Sequence, residues 1–321
     1  MNIKFNKKRF SYNLPKKIKN SRCQFISKKG WIIKIINEDQ SEGYGEVSPL
    51  SGKDFKICKE QLTHIPLYSN KENIIDKIKG FHPCIKSAIN CALLEIEGIL
   101  EFKKNYNLEG KDKTATLFDS QYVLNEFKEF KSKNLEKGKQ YTFKWKVGIY
   151  DNKVEEKVLE DILSILDSNI NFRLDANGAW DRKCAYRWSE ILKDIKNLDW
   201  LEQPLNEDDI DGLIALNEKI PVALDESLIK YPDLTKSWEG WQIRRPSQES
   251  NPLKLIKELD NKKELISIST SFETGIGRRI LFHCADKQLL VPNPKLPGLG
   301  LTYTPKGILF SNNPKLIWES L

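Results

Sequence analysis

Short apolar runs that end in an acidic residue, each followed by a turn and a stretch of helical periodicity, recur in the second half of this chain. They are Phe172-Arg173-Leu174-Asp175, Trp200-Leu201-Glu202 and Val222-Ala223-Leu224-Asp225. The carboxylates lie 27 and 23 residues apart, about the length of one strand-plus-helix unit of a parallel barrel. Further apolar runs predict strands at 115–117, 141–147, 171–175, 199–202, 222–225, 240–244, 265–269 and 289–291, with helical periodicity between them at 154–166 and 184–195. Eight strands alternating with helices argue for a barrel, because an open sheet would not bring three successive strand ends to one centre.

The first third has another rhythm. Alternating patterns predict strands at 5–12, 23–26, 31–36 and 43–46, with a turn at Lys28-Lys29-Gly30 joining the second to the third. Helical spacing follows at 74–78 and strongly at 85–102, where Ile85, Ala88, Ile89, Ala92, Leu93 and Ile96 share a face. The polar stretch 108–114 serves as a connector. The expected organisation is an α+β capping domain over residues 1–108 and a modified (β/α) barrel over 109–321, with a C-terminal tail free to pack on the first domain.

Acids at the ends of neighbouring barrel strands converge on one rim and repel one another unless a cation lies between them. An all-oxygen donor set selects hard Mg²⁺. The strand at 141–147 adds Lys144 and Lys146 on one face, with Phe143, Trp145 and Val147 on the other. If the apolar face meets the helices, both lysines point into the barrel. There each ammonium should lower the pKa of the other and make one a usable base.

Composition narrows the classes. The 321 residues are 39% hydrophobic, with 10 Tyr, 14 Phe and 8 Trp, enough for a sizeable core. A net charge of +7 comes from 52 basic and 45 acidic residues, and the lysines are scattered. No nucleic-acid surface is indicated, although mild positive charge favours an anionic substrate. The six cysteines form no C-x-x-C pair and suggest reduced, buried thiols of a cytoplasmic protein. No apolar run reaches membrane-spanning length, and residues 1–20 lack the apolar core of a signal peptide. His64, His82 and His283 do not cluster in sequence and are expected to be packing or surface residues.

The ordered set Lys144-Trp145-Lys146-Val147-Gly148, Arg173-Leu174-Asp175-Ala176-Asn177, Leu201-Glu202-Gln203-Pro204 and Ala223-Leu224-Asp225-Glu226-Ser227 resembles the enolase superfamily in its muconate-lactonizing branch. Gly45-Glu46-Val47-Ser48-Pro49-Leu50 is similar to the loop of that family's capping domain. Within the branch, the likeness is to the o-succinylbenzoate synthases. It rests on the short first domain, on the stretch from Ser269 to Gly277, and on Pro297-Gly298-Leu299-Gly300. The superfamily's established chemistry, a Lys or His base with Mg²⁺ stabilising an ene-diolate, comes with the resemblance.

The resemblance implies Asp175, Glu202 and Asp225 as ligands of Mg²⁺, with Mn²⁺ as a substitute, and Lys146 as the base that removes the proton α to a carboxylate. Lys144 would assist it, and Arg173 would orient the ligands or the substrate. Asn177 would either contact substrate or simply make a turn. Ser269, Thr270 and Ser271, with Gly298, would bind a substrate carboxylate, or cap a helix. The implied reaction is syn dehydration of 2-succinyl-6-hydroxy-2,4-cyclohexadiene-1-carboxylate to 2-succinylbenzoate, in menaquinone or phylloquinone biosynthesis. Its partner is a small dicarboxylate, with no nucleic acid or membrane. The alternatives are a cycloisomerase, a dipeptide or N-acylamino acid epimerase, and a non-catalytic metal-binding barrel.

One position departs from the family. A second lysine is expected before the proline that ends the sixth strand, and this chain has Arg244-Arg245-Pro246 there. Matching by the proline selects Arg245, whereas strand alternation selects Arg244. Arginine stays protonated and cannot serve as a second base, which disfavours racemisation. A cation over the ring of a dehydration intermediate remains available to it.

Overall fold

The computed structural model describes residues 1–108, 110–118, 122–133 and 135–321. Residue 109, the first of the expected barrel domain, lies outside them. Two sheets organise the chain. The first is antiparallel, built from β1 (Asn2–Lys19), β2 (Gln24–Asn37), β3 (Glu42–Val47) and β4 (Tyr68–Asn70) in the order β3-β2-β1-β4. Helices α1 (Gly52–Gln61), α2 (Lys71–Lys77) and α3 (Pro83–Ile96) accompany it. Ile33 and Ile35 of β2 bury against Ile85, Ala88, Ile89 and Ala92 of α3, the face expected from periodicity. The helix sits so close that a Cβ on Gly45 would come within 1.9 Å of the Ala88 carbonyl.

Two local expectations fail here. Residues 28–30 do not turn. They run through the middle of β2, where Gly30 pairs with Phe10, and a Cβ on Gly30 would stand 2.2 Å from the Val47 carbonyl and 2.8 Å from the Phe10 ring. The glycine marks close approach of two strands and a ring. Helix α3 also stops at Ile96, not at residue 102, because Gly98 adopts a left-handed φ of 66° and the amides of Ile99 and Leu100 fold back onto the Leu94 carbonyl. Leu100 and Phe102 keep the apolar pattern going because they pack into a different cluster.

The second sheet is parallel and curled. It comprises β5 (Thr116–Phe118), β6 (Tyr141–Lys146), β7 (Ile170–Asp175), β8 (Leu198–Glu202), β9 (Val222–Leu224), β10 (Trp241–Arg244) and β11 (Ile266–Ile268), paired in sequence order. Helices α4 (Val123–Ser132), α5 (Asn152–Leu163), α6 (Arg182–Leu192), α7 (Ile210–Asn217), α8 (Glu226–Lys230), α9 (Leu234–Ser237), α10 (Pro252–Asp260) and α11 (Gly275–Gln288) lie between or after the strands. The outward residues Phe143, Trp145, Phe172 and Leu174 fill the core beneath them.

The eighth strand expected at 289–291 does not form. Leu289 caps α11 instead, and closure falls to residues 297–299. Gly298 bridges Ser269 beyond β11, while the Pro297 carbonyl accepts from the Ala115 amide at 2.9 Å and the Thr114 hydroxyl at 2.8 Å. The architecture is a curled parallel barrel sheet with an N-terminal α+β capping domain, as expected. A last helix, α12 (Pro314–Ser320), places Ile317 in a cluster with Phe10 and Ile32 of the first sheet. Among the described residues, no helix is long and apolar enough to cross a membrane.

Candidate active site

Parallel pairing sets the geometry. Lys146 pairs with Asp175, and Asp175 with Glu202, while Lys144 pairs with Arg173 one layer deeper. Because side chains alternate along a strand, these residues project to the inside of the curl. Lys144 Nζ lies 2.7 Å from Asp175 Oδ2 and 2.5 Å from Glu202 Oε1. Lys146 Nζ lies 2.5 Å from Asp175 Oδ2 and 3.0 Å from Asn177 Oδ1. Both lysines, Glu202, Asp225 and Arg245 line a cavity of about 730 Å³, with Asp175 fully buried beneath them.

The register at the end of β10 is resolved by partners. Arg244 turns away from the cavity to Glu249 and Glu258. Arg245 faces the cavity, with Nε 2.9 Å from Asp225 Oδ1, Nη2 2.5 Å from Asp225 Oδ2 and Nη1 on the Thr270 carbonyl. Arg173 is held by Asp199 at 3.0 Å and stacks on Trp200. Its Nη2 is buried without a hydrogen-bond partner among the described residues. Asn177 makes the expected turn, with φ 48°, and its side chain lies on the cavity wall, bridging Lys146 and Glu226.

Two expectations about this rim are corrected. Lys144 is not depressed by the neighbouring ammonium as expected, for the carboxylates around it outweigh that charge. Burial would lower the Lys144 pKa, yet Asp175, Glu202 and Asp225 together push it up. The N-terminus of α11 is not vacant for a substrate carboxylate either. Glu46 of the capping domain occupies it, accepting from the amides of Thr274 and Gly277 and from the Thr274 hydroxyl at 2.6 Å. Glu273 takes the Ser271 amide and the Thr270 hydroxyl. Ser269, Thr270 and Gly298 remain on the cavity wall, whereas Ser271 is buried off it.

Several participants were not singled out from sequence. Glu226 lines the cavity next to Asp225. The Gln203 side chain accepts from the Asp225 and Ser227 amides, each at 3.1 Å, and so positions Asp225. From the capping domain, Ser21 and Arg22 reach across to the carbonyls of Ala176 and Asn177. Gln203 and Glu226 adjoin the acids in sequence, which is a usable signal. Ser21 and Arg22 lie in a polar connection with no pattern that marks them.

The donor set fits a hard divalent cation. Three buried acids, Asp175, Glu202 and Asp225, and the half-buried Glu226 face three contacting cations, Lys144, Lys146 and Arg245. The shortfall shows in the Glu202 carboxyl, pushed up to about 7 by burial and then by the Asp175 charge. Glu226 is pushed up to about 7 by burial and by Asp225. Each Asp225 oxygen bound to Arg245 retains a second lone pair for another ligand.

Comparison with known proteins agrees with this geometry. The profile of the enolase C-terminal domain-like family matches residues 128–239. An o-succinylbenzoate synthase of Thermosynechococcus vestitus is 26% identical over 274 residues, covering 80% of each chain. The solved o-succinylbenzoate synthase of Thermosynechococcus elongatus, described as complexed with Mg in its active site, superposes with a TM-score of 0.80 at 23% identity over 99% of this chain and 100% of that one. Residues 128–239 thus match an enolase C-terminal domain-like segment, and the chain as a whole is similar in sequence and fold to o-succinylbenzoate synthases. It also resembles the N-succinyl-L-Arg/Lys racemase of Bacillus cereus, 25% identical over 300 residues, or 83% of this chain and 79% of the racemase.

Proposed function

We propose that this chain is an o-succinylbenzoate synthase, with a capping domain over residues 1–108 and a catalytic barrel over 109–321. The reaction removes water from 2-succinyl-6-hydroxy-2,4-cyclohexadiene-1-carboxylate to give 2-succinylbenzoate, a step of menaquinone or phylloquinone formation. The observation that carries this reading is the pairing of one cavity lysine at the α-proton position, Lys146, with an arginine, Arg245, on the opposite wall. A lysine on each face would serve racemisation; one lysine and a permanent cation serve a syn elimination.

Asp175, Glu202 and Asp225 hold Mg²⁺, or Mn²⁺ in its place. Bound there, the ion would supply positive charge to the substrate carboxylate as its α-proton leaves. Lys146 removes the ring proton, and the electron pair moves into the carboxylate. The pair then returns, the ring C–O bond breaks, and the departing hydroxide takes from Lys146 the proton that Lys146 has just gained. One lysine thus acts twice on one face.

Lys144 stays cationic among the acids and pairs with the ring carboxylate. Arg245 remains charged over the ring. The unpartnered Arg173 Nη2 donates to a substrate oxygen, while Ile18, Phe25 and Phe272 on the cavity wall exclude water from the ring. The test is to add the cyclohexadiene carboxylate and follow the absorbance of the aromatic product. Turnover abolished by a chelator and restored by Mg²⁺ is the expected result; absence of product at saturating Mg²⁺ overturns the reading.

A further inference from the structure

A second constellation lies outside the barrel rim. Cys58 on α1, His82 at the N-cap of α3 and Cys84 in the first turn of α3 bring two sulfurs and an imidazole nitrogen within 4.8 Å of one another. Among the described residues no other group of three His, Cys, Asp or Glu side chains meets that spacing. Cys58 Sγ is 3.4 Å from Cys84 Sγ, and His82 Nδ1 is 3.1 Å from Cys84 Sγ. Both cysteines are fully buried. The histidines were expected to be packing or surface residues, and His82 lies beside two thiols: it is 24 residues from Cys58 in sequence, and the fold brings the start of α3 beside α1, with the His82 amide on Gln61 Oε1.

We propose that Cys58, Cys84 and His82 form a metal site for a thiophilic divalent cation of the zinc type. Tetrahedral zinc with Zn–S near about 2.3 Å and Zn–N near about 2.0 Å separates its sulfurs by roughly 3.7 Å, so the cluster needs to open by only a few tenths of an ångström. The far ring nitrogen supports this. His82 Nε2 faces Asp54 Oδ1 at 3.5 Å, the carboxylate partner that fixes tautomer and ring orientation in zinc-bound histidines. With the proton on Nε2, the Nδ1 lone pair points at the thiols, competing only with a long 3.3 Å contact from the Cys84 amide. Pro83 holds His82 in an extended conformation, with φ −53° and ψ 138°, which turns the ring back toward Cys84.

Binding requires two thiolates and a neutral imidazole, so it releases protons from the cluster. The fourth position falls to water on the side where His82 and Asp54 are 15% and 29% exposed. A disulfide would use the two sulfurs but leave the aligned imidazole and its carboxylate without a role. Ser51 and Asp54, at the start of α1, are also on the cavity wall. A metal joining α1 to α3 therefore stiffens one rim of the substrate cavity from behind.

The experiment uses the full-length protein, stripped with a chelator, reduced, and titrated with Co²⁺ in excess Mg²⁺. One equivalent of Co²⁺ should give thiolate-to-metal charge-transfer absorption, displaced by one equivalent of Zn²⁺. Carboxylates of the barrel rim cannot produce that band, so an Asp225→Asn variant should retain it. His82→Asn should weaken binding at least tenfold, and Cys58→Ser should abolish the band, whereas Cys284→Ser should keep it. The wild-type spectrum alone decides the matter should a variant fail to fold. Absence of the charge-transfer band in the reduced protein overturns the proposal. So does a Cys58–Cys84 disulfide that forms in air, with loss of two hydrogens by mass, and persists when Zn²⁺ is present.

Discussion

Arg245 grips Asp225 with two prongs, Nε on one carboxylate oxygen and Nη2 on the other. This fixes a plane of positive charge on the wall opposite the lysines and ties it to one of the three acids expected to ligate metal. The charge cannot be lost by deprotonation, and the arginine cannot swing away without leaving a buried carboxylate unpaired.

Arg245→Met should therefore lower kcat/KM by at least about a hundredfold, the scale of losing one electrostatic contact to a developing charge. Arg245→Lys should keep part of the dehydratase activity. In D₂O with an N-succinyl amino acid, the wild type should not interconvert enantiomers, and the Lys variant should gain slow exchange at the α-carbon. Polarimetry and NMR check both. Rapid racemisation by the wild type contradicts the one-lysine argument, and undiminished dehydration by the Met variant removes Arg245 from the site.

Lys146→Arg preserves charge and the contact to Asp175 but withholds a removable proton at neutral pH. Loss of about 10² to 10⁴ in kcat is expected, the usual contribution of a general base, with an unchanged circular dichroism spectrum. Substantial turnover in this variant would assign the base to Lys144.

Asp225→Asn neutralises one of the three acids and breaks the charged pair with Arg245. Isothermal titration with Mg²⁺ should show affinity at least tenfold weaker, and activity should fall with it. Mg²⁺ binding as tight as in the wild type would show that Asp225 is not a ligand.

Glu46 gives a pH prediction independent of the metal site. Burial, reinforced by Glu273, pushes its carboxyl up to about 7 from an ordinary value near about 4.5. A raised pKa means that the folded state holds the proton more tightly, so its contribution is complete below about pH 4.5 and lost as pH rises through 7. The loss is of order 3 kcal/mol at about 1.4 kcal/mol per pH unit. Glu46→Gln keeps a carbonyl for the Thr274 and Gly277 donors and removes the titration. The decline in Tm between pH 5 and pH 8 should be smaller in the variant than in the wild type; equal declines would show that Glu46 is not the group responsible.

How much of this was legible depended on whether a residue's role was local. Strand alternation was enough to put Lys144 and Lys146 on one face and the acids at strand ends, since that follows from the backbone period alone. Glycine misled at Gly30, where it permits close approach to Phe10 and Val47 instead of turning the chain. The apolar run at 289–291 looked like a strand because an apolar helix end and a short strand can have the same composition. Glu46 filling the α11 N-terminus, and Cys58 meeting His82 and Cys84, depend on elements distant in sequence, which a one-dimensional pattern does not contain.

The closure of the barrel by residues 297–299 has a kinetic consequence. The amide of Ala115 and the hydroxyl of Thr114 wait for the Pro297 carbonyl, a separation of more than 180 residues. That separation gives the final seam a high loop-closure cost. During synthesis, strands β5 to β11 emerge before their last partner, so the free edges of β5 and β11 stay open until nearly the whole barrel has been translated. The strand ends that carry Lys146, Asp175, Glu202, Asp225 and Arg245 are all synthesised before the segment that seals the barrel, and that interval is the one in which a chaperone would matter most.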